Sequence, residues 1–393
     1  MRSAWLVVLG MTAALGGGMM AKSQGMPQPR NPARDMRLTT DGPGPEARPL
    51  RVVIAGMVHG HVDGFLSGAV KRKDLEIVGV AEPDRALFDE YAKKFALDAK
   101  LYHAELEETI AATKPDAVLI YTSTYDHRKM IEICAQASPR PKAVMMEKPL
   151  AVSAEDAQAM AKVSADAKMP VIVNYFANWE PSRHAAFEAA HSGEIGEVRK
   201  VVAHDGHKGP KEIGVGPEFL SWLTDPKLNG GGALYDFGCY GADFMTWVMS
   251  GERPSTVTAV TMQFKPEVYP KVDDDATIVL TYPKADAILQ ASWNWPFGRS
   301  DVEVYGKTGT VFTRGRDEIE LRLAGDKEAK KIAAKPLVEP QNDPITYLRA
   351  VVFEGMKPEG PGSLEMNVVV AEILDAARAS AKTGKTMKIA KGR

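Results

Sequence analysis

The chain has 393 residues, too many for one small core, and its length predicts two domains. Its 45% hydrophobic and 25% charged residues are ordinary for a folded globular protein, and a formal net charge of −2 points to neither a nucleic acid nor an anionic membrane as partner. Its two cysteines, Cys134 and Cys239, make no disulfide framework and, with the scattered histidines, no zinc spacing.

In chain order, Arg2 gives a short basic head, Ala4 to Met20 is an uncharged apolar run, and small residues follow from Ala21 to Gly25. That is the layout of a secretory signal, so residues 1–25 are predicted to be removed on export. The product is then periplasmic or secreted and free of the membrane. The run holds Gly16-Gly17-Gly18 and is short for a full span. Residues 26–49 are rich in Pro, Arg, Gly and Asp and predict a flexible leader. From Arg51 the texture changes. Val52-Val53-Ile54-Ala55, Ile77 to Ala81, Ala117 to Tyr121, Ala143 to Met146 and Val171 to Val173 are continuous apolar runs, as strands covered on both faces require. Helical stretches lie between them; Met130, Ile133, Cys134 and Ala137 share one helical face, and Ser153 with Asp156 marks a helix start. The alternation predicts βαβ units and a parallel sheet, a dinucleotide-binding type of domain over residues 50–172. After about residue 197 the pattern shifts to β-rich runs at Ala276 to Tyr282, Ala287 to Trp293, Asp301 to Tyr305 and Ile319 to Leu323. Helices are expected over Pro344 to Glu354 and Leu364 to Ala381. Residues 173–393 are therefore predicted to be an α+β domain on a largely antiparallel sheet, making the whole chain α/β.

A phosphate-binding turn in such a fold follows the first strand and leads into a helix N-terminus. Here it reads Gly56-Met57-Val58-His59-Gly60-His61, and against G-x-G-x-x-G only Gly56 matches; Val58 and His61 fill the other two slots. Glu82 ends the second strand, where an acidic residue bonds the adenosine ribose. A carboxylate there favours NAD over NADP, while Arg85 three residues on softens that preference. His59 and His61 have no third ligand nearby in sequence, so no metal is expected.

Two further motifs carry proton chemistry. Glu147-Lys148-Pro149 follows a strand end, so Lys148 can point into the crevice at the carboxyl edge of the sheet. Gly230-Gly231-Gly232-Ala233-Leu234-Tyr235-Asp236-Phe237-Gly238-Cys239-Tyr240 places Asp236 and Tyr240 four apart, on one face of an expected helix. Lys, Asp and Tyr converging suit proton exchange with a hydroxyl, and partial burial is expected to bring the Lys148 amine toward neutrality. Asn178, Trp179, His204, His207, Trp222, Trp293 and Trp295 are candidates to line a sugar pocket.

These motifs resemble the Gfo/Idh/MocA family, named for glucose-fructose oxidoreductase and inositol dehydrogenase, from about Arg51 to about Lys388. Thr122-Ser123-Thr124-Tyr125-Asp126-His127 is similar to the family's Thr-Pro-Asn-x-x-His segment, with Ser123 and Thr124 in place of Pro and Asn. The resemblance implies a Rossmann domain followed by a substrate-binding domain whose open sheet pairs subunits into homodimers or tetramers. It implies that Lys148 stands beside the nicotinamide and the substrate hydroxyl, assisted by Asp236, with Tyr240 at the family's His position, as in the glucose-fructose oxidoreductase branch. The proton carrier is then Lys148, Tyr240 or a relay through both. Gly56, Val58, His59, Gly60, His61, Glu82, Arg85, Thr122, Ser123, His127, Glu147 and Lys148 are the expected cofactor contacts. The implied reaction is hydride exchange between a sugar or polyol carbon and NAD or NADP. Two other outcomes are consistent with the same motifs: glycoside cleavage through transient oxidation and elimination with a retained NAD, and a non-catalytic sugar-binding relative.

Overall fold

The computed structural model describes residues 48–390; the expected signal segment and nearly all of the leader lie outside them. The first sheet holds β1 (Leu50–Ala55), β2 (Leu75–Ala81), β3 (Tyr102–His103), β4 (Ala117–Ile120), β5 (Ala143–Glu147) and β6 (Val171–Asn174). Its order is β3-β2-β1-β4-β5-β6, with every neighbour parallel, including Val52 opposite Ile77 and Ile54 opposite Val80. This is the doubly wound order, whose ligand crevice lies at the carboxyl ends of the strands where the order reverses.

The period-2 alternation of a strand divides the apolar run of β1 between two cores. Leu50, Val52 and Ile54 face the helices His61–Ala69 and Arg85–Phe95; Val53 and Ala55 face the helices Leu106–Thr113, His127–Gln136 and Ala154–Ala167. The first of these faces is completed from far along the chain. The helix Pro344–Arg349, continued by the wider turn Ala350–Glu354, brings Ile345, Leu348 and Val351 into the same core as Leu119, Met145 and Ile172. The first domain thus draws on two separate stretches of sequence, and β6 runs to Asn174, past residue 172.

The second sheet holds β7 (Val198–Gly206), β8 (Thr256–Met262), β9 (Asp275–Thr281), β10 (Asp286–Ser292), β11 (Arg299–Gly306), β12 (Gly309–Thr313), β13 (Glu318–Leu323), β14 (Lys330–Ala333) and β15 (Met387–Lys388). Its order is β14-β13-β12-β11-β7-β10-β9-β8-β15, antiparallel except for the parallel pair β7 and β10. The helices Gly238–Val248 and Leu364–Thr383 cover one face, meeting Val257, Ala259, Ile278 and Leu280. The other face is open and carries Val260, Met262 and Val279, exposed by 61%, 48% and 37%. Both cysteines are buried and unpaired. Among the described residues no helix is long and apolar enough to cross a membrane.

Arg72 fastens the returning segment. Its guanidinium donates to Asp74 at 2.8 and 2.6 Å and to Asp343 at 2.9 Å, and all three side chains are buried. Asp343 also caps the helix Pro344–Arg349 by accepting from the backbone N–H groups of Ile345 and Thr346. Burial opposes ionisation of Asp74, but the Arg72 bonds outweigh it and hold the carboxyl below its usual range. A carboxyl so lowered stabilises the fold above the ordinary carboxylate range and loses that contribution as pH falls through its folded value. Arg72→Met removes the guanidinium shared by two buried carboxylates and is expected to cost ~3–5 kcal/mol in denaturant unfolding at pH 7. The loss should shrink in acid as Asp74 becomes neutral. A variant within ~1 kcal/mol of the parent, the size of an exposed pair, would show that the clamp carries no stability.

Candidate functional site

A cavity of about 380 Å³ lies where the carboxyl edge of the first sheet meets the second domain, and Gly60, His61, Lys148, His207, Asp236 and Tyr240 line it. Lys148 stands just past the end of β5. Its ammonium donates to Asp236 Oδ1 at 2.6 Å and to the Asp236 carbonyl at 2.9 Å, with both side chains buried. Trp293, fully buried just past β10, donates from Nε1 to the other oxygen, Asp236 Oδ2, at 3.0 Å. Both carboxylate oxygens are therefore held in fixed directions.

The glycine run explains how Asp236 gets there. A Cβ on Gly232 would stand 1.8 Å from the Asp273 carbonyl oxygen, so only glycine permits that approach. The Asp273 carboxylate then accepts from the N–H groups of Gly232 and Leu234, at 2.9 and 2.7 Å. Sequence reasoning missed Asp273; its trace was the run Asp273-Asp274-Asp275 ahead of a strand. The expected single helix through Asp236 and Tyr240 is corrected: one short helix, Ala233–Asp236, ends and another, Gly238–Val248, begins. The cause is the Asp236 carbonyl, which is occupied by Lys148 and by the Cys239 thiol, so the Tyr240 N–H bonds Phe237 instead. Tyr240 still reaches the cavity, and its ring centroid lies 5.1 Å from the Lys148 ammonium. Burial keeps the Tyr240 hydroxyl protonated, well above its ordinary range.

The expected charge state of Lys148 is also corrected. Burial does work to lower the Lys148 pKa, but the neighbouring Asp236 charge and hydrogen bond outweigh it, and the amine sits above its ordinary range rather than near neutrality. On Asp236 the same balance runs the other way: burial favours the neutral acid, and the Lys148 charge wins and holds the carboxyl low. His207 supplies the cavity with a neutral imidazole. Burial pushes its pKa down to about 4, and its Nδ1 accepts the Gly209 N–H at 2.9 Å. The ring proton is thereby assigned to Nε2, which makes that atom a hydrogen-bond donor.

The dinucleotide turn keeps its first requirement. Gly56 has φ +79°, and a Cβ there would meet Thr122 Cγ2 at 2.6 Å. Glu82, pushed up by burial, accepts from the N–H groups of Met57 at 2.7 Å and Asp84 at 2.9 Å. A carboxylate has about four acceptor positions, so two are left for ribose hydroxyls. Gly56, Glu82 and the N-terminus of the helix from His61 therefore fit an adenosine diphosphate unit. Over the turn, the helix Pro217–Leu223 lays Phe219 against Gly60, 3.0 Å from where its Cβ would stand, and Trp222 donates to the Val58 carbonyl at 3.1 Å.

The other expected contacts are placed less directly. Arg85 lies on Asp89 and the Tyr102 ring, and Ser123 donates to Asp126 at 2.6 Å. His127 is 0% exposed, with Nδ1 3.1 Å from the Leu150 carbonyl oxygen, so it stands inside the domain and not in the crevice. Glu147 Oε2 is 2.8 Å from His61 Nδ1, and His59 packs between His61, Phe219 and Trp222. Of the proposed pocket candidates, only His207 lines the cavity. Trp293 stands behind Asp236; Trp222 caps the turn; Trp179 donates to Asn174 and packs on Tyr347. Asn178 is buried with its carbonyl on His184, the Trp295 backbone N–H donates to the His207 carbonyl at 3.2 Å, and His204 points to the opposite face of the second sheet, onto Asp301 and Arg299.

Comparison with known proteins agrees with this geometry. Residues 50–175 match the model described as "Oxidoreductase family, NAD-binding Rossmann fold", and residues 184–312 match the "GFO/IDH/MocA C-terminal domain". Trans-1,2-dihydrobenzene-1,2-diol dehydrogenase from Bos taurus is 27% identical over 234 residues, 59% of this chain and 64% of that protein. The corresponding Mus musculus enzyme is 26% identical over 83% of this chain and 95% of its own length. Inositol 2-dehydrogenase from Rhizobium meliloti is 26% identical over 64% and 72% of the two chains. Among solved structures, aldose-aldose oxidoreductase from Caulobacter crescentus, complexed with glycerol, shares the fold with a TM-score of 0.73 at 21% identity, covering 87% of this chain and 100% of that one. With a dinucleotide domain and a carboxyl-terminal domain both matched, over more than half of its length, the chain belongs to the Gfo/Idh/MocA family of NAD-binding oxidoreductases.

Proposed function

We propose that the protein exchanges hydride between a hydroxyl-bearing carbon of a sugar or polyol and a nicotinamide dinucleotide, with NAD favoured over NADP by Glu82. The observation that carries this reading is the Lys148 ammonium, fixed on Asp236 at 2.6 Å in the wall of a cavity that begins at the dinucleotide turn. A bound nicotinamide supplies the hydride exchange; the chain supplies position and the proton. Gly56, Glu82 and the helix from His61 hold the dinucleotide. Lys148 gives its proton to the substrate oxygen when a carbonyl is reduced and, as the neutral amine, takes the hydroxyl proton when that carbon gives up its hydride. His207 Nε2–H and the Tyr240 hydroxyl donate hydrogen bonds that orient the same substrate. Asp236 keeps the amine aimed and charged. Inositol 2-dehydrogenase and the aldose-aldose oxidoreductase support the sugar or polyol class by name. The presence of a second neutral donor, His207, beside the Lys148 pair also suits protonation of a leaving group, which is what glycoside cleavage by oxidation and elimination requires. Export of the chain is proposed from the basic head and apolar run of residues 1–25.

Lys148→Met should lower turnover on a cyclic polyol or aldose by ~10² or more, as loss of an acid–base group does. NAD affinity, followed by fluorescence titration, should change little because Gly56 and Glu82 are untouched. Full turnover in this variant would remove Lys148 from the reaction.

The charge state fixes the pH dependence. Asp236 is lowered, so its pairing is intact above the usual carboxylate range and fails as pH falls through its folded value. Lys148 is raised, so its pairing is intact below the usual lysine range and fails as pH rises through its folded value. Carbonyl reduction should therefore hold through neutral pH and decline in alkali, while hydroxyl oxidation climbs in alkali. Asp236→Asn should move the oxidation limb down by ~1–3 pH units, the shift one adjacent opposite charge gives. A limb that stays in place would mean that another group titrates.

We further propose that the open face of the second sheet pairs two copies of the chain. Val260, Met262 and Val279 form an apolar stretch that needs cover. Light scattering at micromolar concentration should find a dimer or tetramer, and Val260→Asp with Val279→Asp should release monomers. A monomeric parent would refute the pairing.

A further inference from the structure

Across the carboxyl edge of the first sheet, the fold brings a distant carboxylate to two neighbouring histidines. His59 and His61 come from the turn after β1, and Glu147 ends β5. One ligating atom from each lies within 4.8 Å of the other two, and the residues are only 1%, 7% and 1% exposed. We infer that His59, His61 and Glu147 form a site for one divalent cation of the zinc class, with an open coordination position toward the cavity. This goes beyond the redox reading and does not depend on it.

The donor set is two imidazoles and a carboxylate. That combination suits zinc and similar transition ions, whereas calcium and magnesium take oxygen shells. Zinc sits ~2.0–2.2 Å from such ligands, which places ligand atoms roughly 3–4 Å from one another. The His61–Glu147 contact, at 2.8 Å, is already that short, so a cation takes the place of the shared proton with a small outward shift. The outer shell is in place as well. Asn174 Nδ2 donates to the free Glu147 oxygen at 3.1 Å and is itself held by Trp179 at 2.9 Å, so the carboxylate is aimed from behind. Charge favours the cation too: Glu147 and Asp236 supply two carboxylates near the single Lys148 ammonium. Of the three ligands only His61 lines the cavity, so a water or substrate oxygen would have to reach the ion from the His61 side. The third ligand stands 86 positions from His61, too far for motif spacing to reveal it.

A second cluster shows what a filled version looks like. His204, Asp301 and Glu303 meet the same spacing, but Arg299 donates to both Asp301 oxygens, at 2.6 and 3.1 Å, and stands 3.1 Å from His204 Nδ1. The guanidinium occupies the place of a cation there. Among the described residues no side-chain cation hydrogen-bonds His59, His61 or Glu147, although His59 Nδ1 accepts the His61 backbone N–H at 3.3 Å.

The test uses the purified chain after chelator treatment and dialysis, with no dinucleotide or sugar present, so it stands apart from the redox reading. Calorimetric titration with zinc, checked by metal analysis, should give one ion per chain. His59→Ala, His61→Ala and Glu147→Gln should each weaken binding by more than ~10-fold, the least that loss of a mere outer-shell partner costs. His204→Ala should bind as the parent does. Cobalt(II) titrated into the parent should give the visible bands of a four- or five-coordinate nitrogen–oxygen site, a readout that needs no variant to fold. No stoichiometric uptake by the parent would overturn the proposal. So would uptake that survives the three substitutions or is lost in His204→Ala, or a cobalt spectrum of an octahedral ion.

Discussion

One buried ion pair fixes the relation between the two halves of the site. Lys148 ends a strand of the first sheet and Asp236 ends a helical turn of the second domain, and neither has a role without the other. Removing two charges from water costs several kcal/mol each, which only close pairing and further hydrogen bonds return. Here further bonds add to the pairing: Asp236 accepts from Trp293 on its second oxygen, and Lys148 donates to the Asp236 carbonyl as well. The local backbone is bent to allow it, since the carbonyl given to Lys148 is one the following helix would otherwise use. The chemistry and the packing of the two domains are thus set by the same contact.

That contact also decides which way burial acts. An isolated buried lysine loses its proton easily; one held against a carboxylate keeps it. The same low-dielectric surroundings leave His207 neutral, because no carboxylate bonds its ring and its Nδ1 is already taken by a backbone N–H. One wall of the cavity therefore presents a charged donor and a neutral one side by side.

Much of this was legible in the sequence, for reasons that differ by element. The continuous apolar runs of β1, β4, β5 and β6 gave the parallel sheet because strands covered on both faces have no polar side. The strands β9, β10, β11 and β13 were found nearly to the residue. β7 was not, although it lies in the middle of its sheet: Arg199 and Lys200 interrupt its apolar run, and it ends in the polar residues His204 and Asp205, which bond within the second domain. Lys148 and Asp236 were found because their motifs are specific, while the direction of the Lys148 shift was not, since it depends on a contact made across 88 positions. The tryptophans misled for a simpler reason. A large side chain with one N–H is as useful behind a carboxylate, as Trp293 is, as in a pocket wall.

The return of residues 344–354 beneath the first sheet bears on how the protein is made. A nascent chain that has produced only the dinucleotide domain still lacks Ile345, Leu348 and Val351, the cover for part of the face that holds Leu119, Met145 and Ile172. Domains generally fold as units during synthesis, amino-terminal part first. This one lacks part of its cover until residues 343–354 have been made and Asp343 reaches Arg72. Until then the part of that apolar face beneath Leu119, Met145 and Ile172 lacks its cover.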